Sequence, residues 1–184
     1  PKVVSVSGGK DYCFGETVTA PVFTFSGTAP FTFSYSNATN SYTNQTASAT
    51  TYSPSAPNAV GDYTYTISAL SDAYCAATAL TGSSTIKIKE QPSVSALNSG
   101  AVCAGNSVSL SATCATPSVT YQWSGPNNFT SALASPTITS TTVAMSGDYT
   151  VKVSRNGCED SKTTTVTINE IPTIKTLTVD NASI

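Results

Sequence analysis

The five cysteines are the residues of this chain whose chemistry is easiest to judge from spacing. No two of them form a C-x-x-C pair, and the chain contains no histidine. Zinc sites use Cys and His at short, regular spacings, so we expect neither a metal site nor a cofactor. Disulfide bonds formed in an oxidising compartment explain the cysteines better.

The residue types also argue against catalysis. Without histidine, the chain has neither a Ser-His-Asp triad nor a histidine-assisted cysteine nucleophile. Its 10 acidic residues are scattered along the sequence, so a catalytic carboxylate pair could arise only by folding. We therefore expect a protein that is not an enzyme.

Composition narrows the class of protein and its partners. The 8 basic residues form no cluster that would attract nucleic acid. No apolar run approaches the roughly 18 residues that a membrane-spanning helix needs. Ser and Thr are abundant, and the chain's Thr, Val, Tyr and Phe favour β-strands over helices. These features predict an all-β protein that binds no nucleic acid and does not insert into a membrane.

The chain contains two copies of one pattern, which is the signature of a repeat protein. We expect an immunoglobulin-like domain at 1–90 and another at 91–170. Residues 171–184 resemble the opening of each copy, so they are either the start of a third repeat, which we favour, or a strand that pairs back onto the second domain. The matched residues are Cys13 with Cys103, Gly61-Asp62-Tyr63-Thr64 with Gly147-Asp148-Tyr149-Thr150, and Cys75 with Cys158.

Within each copy, short alternating runs separated by turn residues predict strands. In the second copy, residues 107–114 alternate apolar with polar side chains, as a half-buried strand does. Trp123 and Tyr149 fit the core tryptophan and the tyrosine corner of an immunoglobulin fold. Phe33 and Tyr63 occupy the same places in the first copy. The fold class is therefore two tandem immunoglobulin-like antiparallel β-sandwich domains, with these four residues in their cores.

The cysteines do not occupy the positions of the inter-sheet disulfide found in antibody domains. Those positions hold Val22 and Tyr65 in the first copy and Ala112 and Val151 in the second. Because the other cysteines have matched placements, we predict one bond per copy, closing one end of each sandwich. Cys114 has no counterpart; we favour a buried free thiol over an intermolecular bond. The predicted bonds are Cys13–Cys75 and Cys103–Cys158.

Two tyrosines of the first copy are candidate ligand-binding residues. Tyr42 and Tyr52 lie in a stretch rich in Ser, Thr and Asn, so we expect them to be exposed. Exposed tyrosines beside Asn and Gln could stack on sugar rings. The alternative, which we favour, is packing at the edge of a strand.

Several segments together resemble the Ig-like repeats of very large surface proteins of Bacteroidota. The resemblance implies secretion by the type IX system, an extracellular, cell-surface location and tandem display, as in adhesins for gliding motility. The segments are VCAGNSV (102–108), YQWSGPNNFTS (121–131), SGDYTV (146–151) and NGC (156–158), with GTAPFTF (27–33) and SDAYC (71–75) in the first copy.

Two functions follow from these observations. The first is a stiff, rod-like spacer and display segment of a cell-surface adhesin, active in cell adhesion or gliding. Its partners would be neighbouring Ig-like repeats of the same chain, and surface polysaccharide or other cells. The alternative is a carbohydrate-binding accessory module of a secreted enzyme.

Overall fold

The computed structural model describes residues 1–173, which form β-strands and one 3-10 turn. The chain divides into two compact units. Unit 1 comprises Pro1–Gln91 together with Asn156–Cys158, and unit 2 comprises Pro92–Arg155 and the chain from Glu159 onward. The predicted opening of a third repeat lies, from residue 174 on, outside the described residues.

Unit 1 consists of two facing sheets. One has the strand order β1-β3-β6, and the other has the order β2-β8-β7-β4-β5. Neighbouring strands are antiparallel, except that β2 runs parallel to β8. The strands are β1 (Lys2–Ser7), β2 (Asp11–Cys13), β3 (Val22–Ser26), β4 (Phe31–Ser36), β5 (Ser41–Ala47), β6 (Thr51–Tyr52), β7 (Gly61–Ser71) and β8 (Ser83–Lys89).

Unit 2 repeats this plan. Its sheets have the orders β14-β11-β9 and β13-β12-β15-β16, and β10 pairs in parallel with β17. The elements are β9 (Val94–Asn98), β10 (Val102–Cys103), β11 (Val108–Cys114), β12 (Thr120–Gly125), β13 (Phe129–Ser131), β14 (Thr137–Ile138), a 3-10 turn (Val143–Met145), β15 (Gly147–Arg155), β16 (Cys158–Val166) and β17 (Ile168–Asn169). The predicted all-β pair of immunoglobulin-like sandwiches is confirmed.

Side-chain alternation along the strands builds each core. In β4, Phe31, Phe33 and Tyr35 are buried on one face while Thr32 points to solvent, because successive side chains of a strand point to opposite faces. In unit 2, Trp123 is fully buried among apolar residues of both sheets. The positions of the missing inter-sheet disulfide hold apolar side chains, of which Ala112, Val151 and Tyr65 are buried.

Each unit has a tyrosine that anchors the turn before its long strand. The Tyr149 hydroxyl donates to the Met145 carbonyl over 2.9 Å, and the Tyr63 hydroxyl donates to the Ala59 carbonyl over 3.0 Å. A hydroxyl bonded to backbone a few residues upstream is the geometry of a tyrosine corner. Tyr149 is fully buried, whereas Tyr63 is half-buried at the margin of its core.

The chain enters unit 1 at one end and leaves it at the other. The Pro1 amino group lies 3.7 Å from the carboxylate of Asp72, the residue that follows β7. On the exit side, Ile88 of β8 pairs with Gly61, the first residue of β7. Strand β7 has 11 residues, a length of roughly 35 Å. Entry and exit are therefore separated by the length of the sandwich.

In unit 2, too, the chain enters at one end of the sandwich and leaves at the other. On the entry side, the Val94 N–H donates to Asp160 over 2.8 Å, just after the turn that joins β15 to β16. On the exit side, the Ile168 N–H donates to Ser146 over 2.9 Å, and Ser146 directly precedes β15. The 9 residues of β15, roughly 30 Å long, separate the two points.

Candidate functional site

One disulfide bond is present among the five cysteines, and it joins Cys13 to Cys158. The two Cα atoms are 5.7 Å apart, and 145 positions separate the residues in the sequence. Cys75 and Cys103 are exposed free thiols, and Cys114 is a half-buried free thiol. Cys158 is buried, and its segment 156–158 belongs to unit 1 although the flanking residues belong to unit 2.

The predicted pairs Cys13–Cys75 and Cys103–Cys158 are therefore not the bonds in the structure. In unit 1, Cys13 pairs with Lys89 beside the start of β7, whereas Cys75 follows the end of that strand. Roughly 35 Å of extended strand lies between these two ends, and a disulfide requires Cα atoms less than about 7 Å apart. The cysteines do occupy matched positions in the two copies. Matched positions do not, however, place the two cysteines of one copy at the same end of its sandwich.

The same separation applies in unit 2. Cys103 pairs with Asn169 of β17, at the exit end. Cys158 is the first residue of β16, at the entry end. The intervening strand β16 has 9 residues, roughly 30 Å, so this predicted bond cannot form within the sandwich.

Polar contacts hold the segment around the disulfide in place. The Cys13 N–H donates to the Glu16 carboxylate over 2.8 Å. The Lys89 ammonium donates to the Asn156 carbonyl over 3.0 Å and lies 2.7 Å from the Asp11 carboxylate. The hydrogen bond from Lys89 holds the pKa of Asp11 below its usual value. A charged lysine thus connects the turn at 156–158 to the strand that carries Cys13.

The predicted ligand-binding tyrosines lie together in a second feature, a pocket of about 250 Å³ in unit 1. Tyr42 and Tyr52 are half-buried rather than exposed, because both pack against the core. The Tyr42 ring stacks on Tyr35 with centroids 4.5 Å apart, and Tyr52 packs edge-on against Phe33 at 4.8 Å. The pocket is lined by Tyr35, Asn37, Tyr42, Gln45, Tyr52, Pro54, Ser55 and Tyr65.

The lining of this tyrosine pocket includes the deeply buried Tyr65. Tyr65 is 1% exposed, and its hydroxyl has no hydrogen-bond partner of good geometry among the described residues. Burial raises the pKa of Tyr65, and the nearby Asn37 amide partly offsets that rise. Burial also raises the pKa of Tyr35. Both hydroxyls therefore stay protonated, and they remain hydrogen-bond donors at neutral pH.

Two further observations concern the described residues alone. Within 1–173, no three side chains among His, Cys, Asp and Glu lie close enough together to hold a metal ion. No helix in this part of the chain has the length and apolar character required to cross a membrane.

The disulfide partner was not predictable from one copy of the repeat. The sequence signal that could have indicated it is the position of each cysteine along its sandwich. Cys13 and Cys103 precede the second long strand of their copies, whereas Cys75 and Cys158 follow the long strand that starts at the tyrosine corner. Strands run from one end of the sandwich to the other. Following their directions therefore places Cys13 and Cys103 at the opposite end of their sandwiches from Cys75 and Cys158, one strand length away.

Family models match both copies. Residues 3–95, just over half of the chain, match the family described as nucleoporin pom152-like, immunoglobulin-like domain. Residues 90–172 match the family described as Ig-like domain, CHU_C associated. No curated protein matches the sequence.

Solved structures of tandem immunoglobulin domains share the fold. The Drosophila OTK extracellular domains 3–5 align with a TM-score of 0.52 at 12% identity, over 94% of this chain and 61% of that one. The titin I-band fragment I67–I69 aligns with a TM-score of 0.50 at 15% identity, over 92% of this chain and 64% of that one. At such identities the likeness concerns fold alone, and this chain spans under two thirds of either structure.

The sandwich topology, the tyrosine corners and both family matches agree. The chain belongs to the nucleoporin pom152-like, immunoglobulin-like domain family, whose model matches residues 3–95, and its second repeat is similar to the Ig-like domain described as CHU_C associated.

Proposed function

We propose that this chain is a non-catalytic spacer and display segment in a tandem array of Ig-like repeats, part of a large secreted bacterial cell-surface adhesin. One observation carries the proposal: in each unit the chain enters at one end of the sandwich and leaves at the other. A domain of this kind adds its full length to an array, because successive repeats continue from the exit of the last one.

The pairing of the terminal strands suits a protein under tension. In unit 1, β2 runs parallel to β8, and in unit 2, β10 runs parallel to β17. Once the Cys13–Cys158 bond is reduced, a pull on the termini passes through these strands, and because parallel strands are pulled from opposite ends, their hydrogen bonds are loaded together in shear. The bonds in question include Phe14 N–H to Lys89 at 2.8 Å and Ala104 N–H to Asn169 at 2.9 Å.

The disulfide and the match to the CHU_C-associated family support the location. A disulfide that joins residues 145 positions apart persists best in an oxidising environment. The match to the CHU_C-associated family agrees with the resemblance to Bacteroidota surface repeats. Type IX secretion and a role in gliding or attachment belong to this proposal.

Replacing this segment of the parent protein with unrelated domains tests the spacer function. Deleting residues 1–172 should weaken attachment of the cells, and inserting two unrelated immunoglobulin domains of equal length should restore it. The swap is informative because it keeps length and fold while replacing every surface side chain. Antibodies against the chain should label intact cells. Loss of attachment that the unrelated domains cannot restore would contradict a spacer role, as would labelling only after permeabilisation.

The tyrosine pocket favours a second candidate function, the binding of a carbohydrate. Its volume of about 250 Å³ lies just below the range of roughly 300–1,000 Å³ typical of small-molecule pockets. Tyrosine rings offer faces for stacking on a sugar, and the lining residues Asn37 and Gln45 carry amide groups that can hydrogen-bond its hydroxyls. The arrangement suits a single sugar ring.

Glycan binding by the isolated chain tests this second candidate. Tyr42→Ala should weaken binding at least tenfold if the pocket holds the sugar, because it removes a stacking face. Tyr74→Ala is the matched control, since Tyr74 is 81% exposed and lies outside the pocket. Equal binding by both variants, or no binding by the wild type, would remove the carbohydrate-binding function.

A further inference from the structure

The free thiol of Cys103 repeats the backbone setting of the bonded Cys13. Each is the last residue of a short strand that pairs in parallel with the final strand of its sandwich, Cys13 opposite Lys89 and Cys103 opposite Asn169. In both cases the next residue donates its N–H to that partner, over 2.8 Å and 2.9 Å. A turn closes three residues later, with N–H to cysteine carbonyl distances of 3.0 Å and 3.2 Å. The two cysteines are structurally equivalent.

The free thiol of Cys75 repeats the place of the bonded Cys158. Each follows the long strand from the tyrosine corner within a few residues: Cys75 lies in the connection after β7 in unit 1, and Cys158 opens β16 after the turn that follows β15 in unit 2. Asp72 fixes the turn at Cys75: its carboxylate accepts the N–H groups of Tyr74 and Cys75, each over 2.9 Å. The thiol is held on an ordered turn and exposed to solvent.

The Cys13–Cys158 bond joins one cysteine of each class, a strand cysteine of the first copy and a turn cysteine of the second. We propose that Cys103 and Cys75 each form a bond of this kind with a neighbouring repeat. Cys103 would join the turn cysteine of the repeat that follows, and Cys75 the strand cysteine of the repeat that precedes. The inference rests on the proposed array, and its partner is another Ig-like repeat, which a second copy of this chain supplies.

The bond forms by thiol–disulfide exchange with a low-molecular-weight disulfide such as oxidised glutathione. The Cys103 thiolate attacks one glutathione sulfur, forming a mixed disulfide and releasing one glutathione thiolate. The partner's turn-cysteine thiolate then attacks the Cys103 sulfur and releases the second glutathione. Two cysteine thiols lose two electrons, the glutathione disulfide gains them, and the two protons end on the glutathione thiols.

Such bonds would make an array almost inextensible. With a strand cysteine joined to the next turn cysteine at every junction, a pull bypasses the chain between the bonded residues. The segment left under load runs from Cys75 to Cys103, roughly 30 residues or about 100 Å at full extension. The remaining sequence of each pair of repeats would be shielded from force.

A mixing experiment with the full chain tests the pairing. In a Cys114→Ser background, the Cys75→Ser variant keeps only the Cys103 thiol free, and the Cys103→Ser variant keeps only the Cys75 thiol. The two are mixed at about 1 mM, comparable to the effective concentration that a short linker provides, and oxidised with glutathione disulfide. We expect the Cys103–Cys75 dimer to exceed either symmetric dimer by at least about tenfold, with the bond identified by peptide mass spectrometry.

Two results would overturn the inference: dimers in the proportions of random pairing, or no Cys103–Cys75 dimer while Cys13–Cys158 remains intact. Two matched controls accompany the mixture, each variant oxidised alone at the same concentration, and both should stay largely monomeric. Failure of the Cys103–Cys75 pairing is distinct from failure of the array proposal, because the replacement experiment that tests the array does not depend on Cys75 or Cys103.

Discussion

Cys13 is bonded to Cys158, and the loop that this bond closes contains nearly all of both repeats. Cys13 ends strand β2 of the first repeat, and Cys158 opens strand β16 of the second. The bond therefore gives tension a short covalent path through the chain. A tension applied to the two termini can travel through residues 1–13, across the disulfide and on from residue 158, without passing through the residues between.

Removing this bond should destabilise the protein. In the chain-entropy account, a disulfide that closes 145 residues restricts the unfolded state by about 5 kcal/mol, and measured losses are typically about 2–5 kcal/mol. We expect Cys13→Ser to lower the free energy of unfolding by that amount, as measured by guanidinium unfolding with circular dichroism.

Cys75→Ser is the matched control for this prediction, because Cys75 is an exposed free thiol in the described structure. Its effect should stay within about 0.5 kcal/mol, the range of ordinary surface substitutions. A loss of stability on Cys75→Ser equal to that of Cys13→Ser would contradict the assigned bond.

Acid should destabilise unit 1 through Asp72. Hydrogen bonds from the Tyr74 and Cys75 N–H groups lower its pKa from 3.8 to about 2. A carboxyl group whose pKa is lower in the folded state stabilises the fold above its unfolded pKa, and this contribution disappears as the pH falls through the folded value. We therefore expect the thermal midpoint to fall between about pH 4 and pH 2.

The variant Asp72→Asn should reduce this acid sensitivity without abolishing it, because hydrogen bonds from lysines also lower the pKa values of Asp11 and Glu159. Asp62→Asn serves as the control, since Asp62 is exposed and lies 3.8 Å from Lys87 in a surface ion pair. Thermal unfolding from pH 6 to pH 2 measures the difference. An Asp72→Asn profile identical to that of the wild type would show that the turn does not depend on the charge.

Substitutions of Trp123 test the packing of the core of unit 2. It is fully buried, and its indole Nε1 has no hydrogen-bond partner among the described residues. An unsatisfied buried donor costs stability, and the equivalent place in unit 1 holds the buried Phe33. We expect Trp123→Ala to cost about 3–5 kcal/mol and Trp123→Phe to cost less, because phenylalanine keeps one aromatic ring in the core and removes the unpaired donor, with urea unfolding as the measurement. Similar costs for both variants would mean that the indole makes a polar contact that phenylalanine cannot replace.

Much of the fold was predictable because it depends on local patterns. Alternation along 107–114 predicted strand β11, and Tyr63 and Tyr149 were matched to the tyrosine-corner position, where each hydroxyl donates to a backbone carbonyl four residues upstream. Burial of Trp123 followed from its position within the repeat. Each of these features is determined by residues close together in sequence or by one matched position in the other copy.

The disulfide and the tyrosine pocket were not predictable in the same way. Pairing of Cys13 with Cys158 depends on which end of the sandwich each cysteine occupies, and strand direction is a property of the whole topology. Tyr42 was expected to be exposed because its neighbours in sequence are polar. It is half-buried because the β4–β5 pairing places it opposite Tyr35, on which its ring stacks.

The disulfide should also set how far the chain extends under force. With the bond intact, the residues between Cys13 and Cys158 are outside the covalent path of the load. Those 145 positions span about 500 Å at roughly 3.5 Å per residue. We expect single-molecule pulling from the two termini to give short extensions under oxidising conditions and about 500 Å of additional contour length after reduction. The Cys13→Ser variant should show the long extension in both conditions, and Cys75→Ser should behave as the wild type. A wild-type chain that extends fully without reductant would contradict the bond as the limit on extension, and with it the role of this segment as a length-limited spacer.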